Sequence, residues 1–270
     1  MEYPNLSNLK NQLIEKGFVA IPDFLPQSDL LSFKSLFSSL DLGPGDRSRN
    51  LRHELLLKLS YHPFILDLCQ NFFCEAALPM QSLSFKYPTT QSFHQDTVHF
   101  STLPVDLMIA CWIPLEDVSA KNGTLMYIPY SHLLPTFSKY EFPLVRRSRS
   151  SDSLSDQNKS YLLYESQIAS AVSKLGLRVE YLSCKAGTAF IWHPRLWHGG
   201  CLPLDPNKTR YSYVTHYEAI SSPIYLKHFS GMPFFPRLQN PRDLASRKPF
   251  LKYGPFSFLH RILRILTSYS

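Results

Sequence analysis

The spacing of apolar residues divides the chain into a helical first third and a strand-rich middle. Leu9 to Lys16 reads as a helix that stops at Gly17, and Phe18-Val19-Ala20-Ile21-Pro22 reads as a short strand. Gln27-Ser28-Asp29 offers capping residues ahead of Leu30 to Leu40, whose apolar positions recur at helical spacing until Gly43-Pro44-Gly45. A third helical pattern covers Leu55 to Phe73, with a break at Pro63.

From about Leu83 the period changes toward strands. Six are expected: Leu83 to Tyr87, His94 to Phe100, Leu107 to Pro114, Gly123 to Ile128, Thr188 to Trp192 and Arg210 to Tyr217. Turn residues punctuate them, among them Lys121-Asn122-Gly123, Ala186-Gly187 and Asp205-Pro206-Asn207, and one more helix is expected over Tyr161 to Leu175. Many short strands with irregular connections predict a mainly β fold with flanking α. The expected form is a jelly-roll or double-stranded β-helix barrel, with N-terminal helices packed outside and a mouth able to hold a ligand.

At 270 residues the chain is long enough for one substantial core and short for two catalytic domains. The expectation is a single domain over 1–270. Within it, 1–80 is helical support, 81–220 is the barrel with a mobile insert near 143–160, and 221–270 is a C-terminal extension. In that extension Leu259, Ile262, Leu263 and Leu266 share a helical face near Arg261 and Arg264. Packing against the barrel or a partner chain is favoured there over peripheral contact with a membrane.

The chemistry concentrates in His94-Gln95-Asp96 and, far along the chain, in Trp197-His198-Gly199-Gly200. On a strand, alternate side chains share a face, so His94 and Asp96 can point to one metal while Gln95 points away. Two imidazoles and one carboxylate hold non-haem Fe(II) on one face and leave the opposite positions open for oxygen and a co-substrate. If the three converge, the protein is an oxygenase. Arg210 lies in the next alternating segment, and its planar guanidinium suits bidentate capture of a carboxylate. The plainer readings are two unrelated histidines with an unrelated acid, and a strand arginine paired structurally. Thr97, His99 and His216 are candidates to touch substrate, although such positions often serve packing.

Charge and cysteines narrow the class. The formal charge is +7, yet basic residues are scattered rather than gathered into a recognition element, so nucleic acid is not an expected partner. Arg47, Arg49 and Arg52 form one cluster and Arg146, Arg147 and Arg149 another, the latter in a polar stretch that reads as a loop or lid. These clusters suit an anionic or carrier-linked small-molecule substrate. Five cysteines without CxxC spacing indicate neither a disulfide framework nor zinc. No apolar run approaches the roughly 20 residues that span a bilayer, and Met1-Glu2-Tyr3-Pro4-Asn5 lacks the form of a secretory signal. A cytoplasmic protein is expected.

Six ordered motifs resemble the phytanoyl-CoA dioxygenase family of Fe(II)/2-oxoglutarate oxygenases. They begin with Gly17-Phe18-Val19-Ala20-Ile21-Pro22-Asp23-Phe24-Leu25 and Lys86-Tyr87-Pro88 leading to His94-Gln95-Asp96. They continue with Leu115-Glu116-Asp117-Val118, Asn122-Gly123-Thr124-Leu125, and Ile128-Pro129-Tyr130-Ser131-His132, and end with Ala186-Gly187-Thr188-Ala189-Phe190, His198 and Arg210. The resemblance implies a cupin-type fold in which His94, Asp96 and His198 bind Fe(II), with 2-oxoglutarate and O2 as co-substrates. It implies that Arg210 holds the distal carboxylate of 2-oxoglutarate, with Trp112 and Lys86 as further co-substrate contacts. Two departures stand out: Tyr130 replaces a usual glycine, and Gly200 stands where some relatives carry a co-substrate-binding hydroxyl. Asp96 differs from the small residue of halogenating relatives, which argues for hydroxylation or another oxidation without halide.

The expected function is hydroxylation of a small or medium organic substrate, such as a natural product, lipid or glycan-related molecule, with release of succinate and CO2. Two alternatives stay open: a non-catalytic metal- and 2-oxoglutarate-binding module, and an iron cupin oxygenase that does not use 2-oxoglutarate.

Overall fold

Residues 3–102, 106–134, 153–221, 225–232, 235–239 and 242–248 are described by the computed structural model of this chain. Helix α1 (Leu6–Lys16) is capped by Asn5, whose side chain accepts from the Asn8 amide, and ends at Gly17 in the left-handed region (φ 88°). A side chain at Gly17 would also collide with His132, whose ring lies 2.6 Å from the position of a Cβ. Strand β1 (Phe18–Ile21) follows, then α2 (Gln27–Ser38). The cap of α2 is Pro26 rather than Gln27-Ser28-Asp29, and no side chain caps it. Those three residues already form the first turn, where Asp29 faces the positive end of the helix dipole. The third helical pattern splits into α3 (Glu54–Ser60) and α4 (Pro63–Phe73) because Pro63 can only open a helix. A two-residue strand, β2 (Ser48–Arg49), precedes them.

The strand region comprises β3 (Ala77–Phe85), β4 (Ser101–Thr102), β5 (Met108–Pro114), β6 (Leu125–Tyr127), β7 (Glu180–Leu182), β8 (Ala189–Trp192), β9 (His198–Gly200), β10 (Ser212–Ala219), β11 (Tyr225–Met232) and β12 (Phe235–Gln239). Helix α5 (Ser153–Lys174) extends the expected Tyr161–Leu175 helix toward the N-terminus. The largest sheet has the order β1-β8-β5-β10-β3-β2, a second is β7-β6-β9, and a third is β12-β11-β4; every pairing is antiparallel.

The large sheet is buried on both faces, so β5 reads as a continuous apolar run rather than an alternation. Its outer residues Ile109, Cys111 and Ile113 join Leu13, Phe33, Leu56 and Leu68 of the helices in the main core. Its inner residues Ala110 and Trp112, with Phe190, Trp192 and Val214, face Leu125, Tyr127 and Leu182 of the β7-β6-β9 sheet. The Ser60 hydroxyl meets Tyr213 Oη at 2.8 Å and Thr215 Oγ1 at 3.1 Å, which satisfies the polar atoms that β10 turns toward α3.

Two expectations are corrected. Among the described residues the sheets face each other but do not close into a barrel: beside β9 runs an irregular segment that forms one antiparallel bridge with it, His94 with His198, rather than a strand. His94 to Phe100 is likewise not a strand. After the bridge the chain turns tightly at Asp96–Val98 and pairs again only at β4. Residues 143–152, with the Arg146 cluster, and the amphipathic stretch at 259–266 lie outside the described residues. No described helix is long and apolar enough to cross a membrane.

Candidate metal centre

The bridge and the turn together deliver the metal ligands. His94 N donates to His198 O at 2.9 Å and His198 N returns a bond to His94 O at 3.0 Å, so the two imidazoles sit side by side, ring centroids 4.4 Å apart. The turn at Asp96–Val98 then swings the carboxylate in: Asp96 Oδ1 lies 3.9 Å from His94 Nε2 and 3.7 Å from His198 Nε2. One ligand atom from each residue falls within 4.8 Å of the others, and all three residues are buried.

The surroundings fix the state of each ligand. His94 Nδ1 lies 3.0 Å from the Ser92 carbonyl and His198 Nδ1 lies 2.9 Å from the Leu196 carbonyl. A carbonyl only accepts, so each Nδ1 carries the hydrogen and each Nε2 turns a lone pair to the centre. Burial, with His198 adding to it, pushes His94 down to about 3, so the ring is neutral and ready to ligate. Trp192 Nε1 donates to Asp96 Oδ2 at 2.8 Å, leaving Oδ1 to the metal side, and His216 Nε2 lies 3.9 Å from that same Oδ2. Burial raises Asp96, but the fields of His198, His216 and His94 and the Trp192 hydrogen bond outweigh it, and the carboxyl sits below its ordinary range. A facial set of two imidazoles and one carboxylate, each oriented by an outer partner, fits a divalent transition metal that keeps open positions.

The ligands line a cavity of about 380 Å³. Arg210 enters it from just before β10 and is 2% exposed. Its Nη1 donates to the Gly123 carbonyl at 3.1 Å, its guanidinium lies 5.8 Å from the Trp112 ring centroid, and its Nε has no partner. Burial drags it down to about 10, the sign of a cation held without an anion. This geometry fits a carboxylate arriving with a ligand. Arg47, Arg49, Gln91, His99 and Tyr161 also line the cavity.

Most site residues expected from sequence converge here. His94, Asp96, His198, Arg210, Trp112, His99 and His216 all line the cavity. Lys86 does not: its ammonium donates to the Ser38 and Leu40 carbonyls at 3.1 and 3.0 Å, closing the C-terminal end of α2. Thr97 is buried but does not line the cavity. His216 backs Asp96 from the side that Trp192 occupies. Tyr130 holds the left-handed conformation (φ 65°) that explains the glycine expected there. Sequence reasoning missed Trp192 as a partner of Asp96, although its alternation with Ile191 on β8 places it on the inner face. It also missed Tyr164, whose hydroxyl accepts from the Gln95 amide at 2.8 Å, and Thr89, which lines the cavity from a loop.

A family model described as phytanoyl-CoA dioxygenase (PhyH) matches residues 13–201. Phytanoyl-CoA dioxygenase domain-containing protein 1 of Danio rerio is 29% identical over 82 residues, which are 29% of this chain and 28% of that relative. The match thus spans under a third of the curated relative. Among solved structures, the non-heme alpha ketoglutarate dependent epimerase SnoN from nogalamycin biosynthesis is similar with a TM-score of 0.63 at 15% identity, covering 93% of this chain and 97% of SnoN. EctD from S. alaskensis gives 0.62 at 17% identity, covering 93% of this chain and 90% of EctD. SnoN has been solved with Fe3+ and alpha ketoglutarate, and EctD with bound Fe. At these identities the likeness establishes the fold.

Proposed function

Because the chain belongs to the phytanoyl-CoA dioxygenase family of Fe(II)/2-oxoglutarate oxygenases, we propose that it is an Fe(II)- and 2-oxoglutarate-dependent dioxygenase that hydroxylates a small or medium organic substrate. The observation that carries this reading is the meeting, in one cavity, of the His94, Asp96 and His198 ligand set with a buried Arg210 that has no anionic partner. When bound, iron with 2-oxoglutarate supplies the oxidising chemistry, consuming O2 and releasing succinate and CO2 as oxygen enters the substrate. His94, Asp96 and His198 hold the metal on one face. Arg210 neutralises the distal carboxylate of the co-substrate beside the Trp112 ring. Trp192 and His216 keep Asp96 aimed, and no side chain is required as a general base.

The mouth favours an anionic substrate. The charges of ferrous iron, Asp96, a doubly negative co-substrate and Arg210 cancel, while Arg47 and Arg49 at the rim form no ion pair with the described residues. An organic acid, a phosphate or a carrier-linked group would restore neutrality. SnoN is named an epimerase and SnoK of the same pathway a carbocyclase, so proteins of this fold serve outcomes other than hydroxylation. Here a carboxylate ligand at Asp96 supports oxygen insertion over halide transfer.

The test is succinate release from 2-oxoglutarate by iron-loaded protein in air, with and without candidate organic acids and phosphates, and product mass for any that stimulate it. Release that needs iron and disappears in Asp96→Ala, with a product one oxygen heavier, is expected. Folded, iron-loaded protein that releases no more succinate than Asp96→Ala under any of these conditions would contradict the reading.

A further inference from the structure

Strand β9 cannot carry a side chain at residue 200, two positions after the ligand His198. A Cβ on Gly200 would lie 2.0 Å from the Thr89 carbonyl oxygen and 3.2 Å from Thr89 Oγ1. A Cβ on Gly199 would lie 2.7 Å from the Gln91 carbonyl oxygen. The segment from Thr89 to Gln91 therefore packs backbone to backbone against β9, secured by the Gly200 amide donating to Gln91 O at 2.8 Å. The space that a residue-200 side chain would fill is held by Thr89.

That segment also closes around Arg210. The Arg210 amide donates to Lys86 O at 3.0 Å, and Pro88 lies against Gly123, whose carbonyl receives Arg210 Nη1. Thr89 and Gly200 line the same cavity as Arg210, and Thr89 is only partly buried, its hydroxyl making no hydrogen bond among the described residues. Arg210 spends one of its five donors on Gly123 and keeps Nε free for an arriving carboxylate, whose remaining lone pairs can take a hydroxyl as well. Of the other donors near β9, Trp192 donates to Asp96, Gln91 donates to Tyr161, and the buried Ser212 hydroxyl does not line the cavity.

We propose that Thr89 supplies the hydroxyl that, with Arg210, binds the distal carboxylate of 2-oxoglutarate, from a loop rather than from β9. The assignment rests on the co-substrate reading above. Anaerobic titration of the iron-loaded protein with 2-oxoglutarate, read by the visible charge-transfer band of the chelate, tests it. Thr89→Val is expected to weaken 2-oxoglutarate about 10-fold, the loss of one hydrogen bond to a charged group, while Thr89→Ser stays close to wild type. Binding of 2-oxopentanoate, which has a methyl group in place of the distal carboxylate, should be the same in wild type and Thr89→Val, as should iron affinity. Unchanged 2-oxoglutarate binding in Thr89→Val, or equal weakening of both keto acids, would overturn the assignment alone. A wild type that binds iron but gives no band with 2-oxoglutarate would overturn the co-substrate reading and this assignment with it.

Discussion

Replacing Trp192 with Phe removes one hydrogen atom's worth of chemistry from the centre: the indole N–H that donates to Asp96 Oδ2 at 2.8 Å. Trp192 and Asp96 are 4% and 3% exposed, so water cannot replace the lost donor. A hydrogen bond to a charged group contributes about 1.5–3 kcal/mol, and each 1.4 kcal/mol is about tenfold in affinity. Outer partners of metal ligands typically account for about 10–100-fold in metal binding, which agrees with that span. Trp192→Phe is therefore expected to weaken Fe(II) by about 10–100-fold. Competition against a chromophoric chelator, under nitrogen, measures it. Phe190→Leu on the same face of β8 is the control, because Phe190 packs against the Trp192 ring at 5.9 Å between centroids and touches no ligand oxygen. It should lower thermal stability and leave iron affinity within about threefold, consistent with a packing change alone. Wild-type iron affinity in Trp192→Phe, or an equal loss in Phe190→Leu, would refute the reasoning.

Arg210→Met should weaken 2-oxoglutarate at least about 30-fold by removing a charge-assisted pair, and yet raise the melting temperature of the apo-protein by about 2–4 °C, because a buried unpaired cation gives way to an apolar side chain. A lower Tm would show that Arg210 has a structural role. Tyr130→Gly should raise Tm by about 2 °C, since Tyr130 sits at φ 65° and is half exposed, and a left-handed non-glycine residue costs about 1–2 kcal/mol. The acid limb of stability carries a signature of His193, which burial pushes down to about 3. Between the ordinary histidine pKa of about 6.5 and that value the unfolded chain binds a proton that the folded chain refuses, so stability falls as pH falls, by up to about 1.4 kcal/mol per pH unit. Denaturant melts at pH 7.5, 6 and 5 should show a shallower loss in His193→Asn than in wild type, and parallel curves would remove His193 from the account.

The ligand set was legible because residue type, spacing and the following arginine agreed, and the family's ordered motifs placed them all. The geometry that joins them was not. An HxD pair on a strand and an HxD pair straddling a bridge and a tight turn have the same sequence, and only tertiary contacts with β9 decide between them. Lys86 looked like a co-substrate contact by resemblance, but the free carbonyls at the end of α2 lie within reach of its long side chain. Trp192 and Thr89 stayed hidden for another reason. A tryptophan in an apolar strand reads as core, and a threonine in a loop reads as nothing until the glycine beside it is seen to be obligatory. Closure of the barrel was overread, since alternation along strands fixes faces but not which edges meet.

The most direct test of the centre is an anaerobic spectrum of iron-loaded wild type and Asp96→Ala on addition of 2-oxoglutarate. The visible metal-to-ligand charge-transfer band of the bidentate chelate is expected in the wild type and not in Asp96→Ala. A folded wild type that holds iron and develops no band, or an Asp96→Ala variant that develops it at the same concentrations, would contradict the assignment of His94, Asp96 and His198 as the iron site of a 2-oxoglutarate oxygenase.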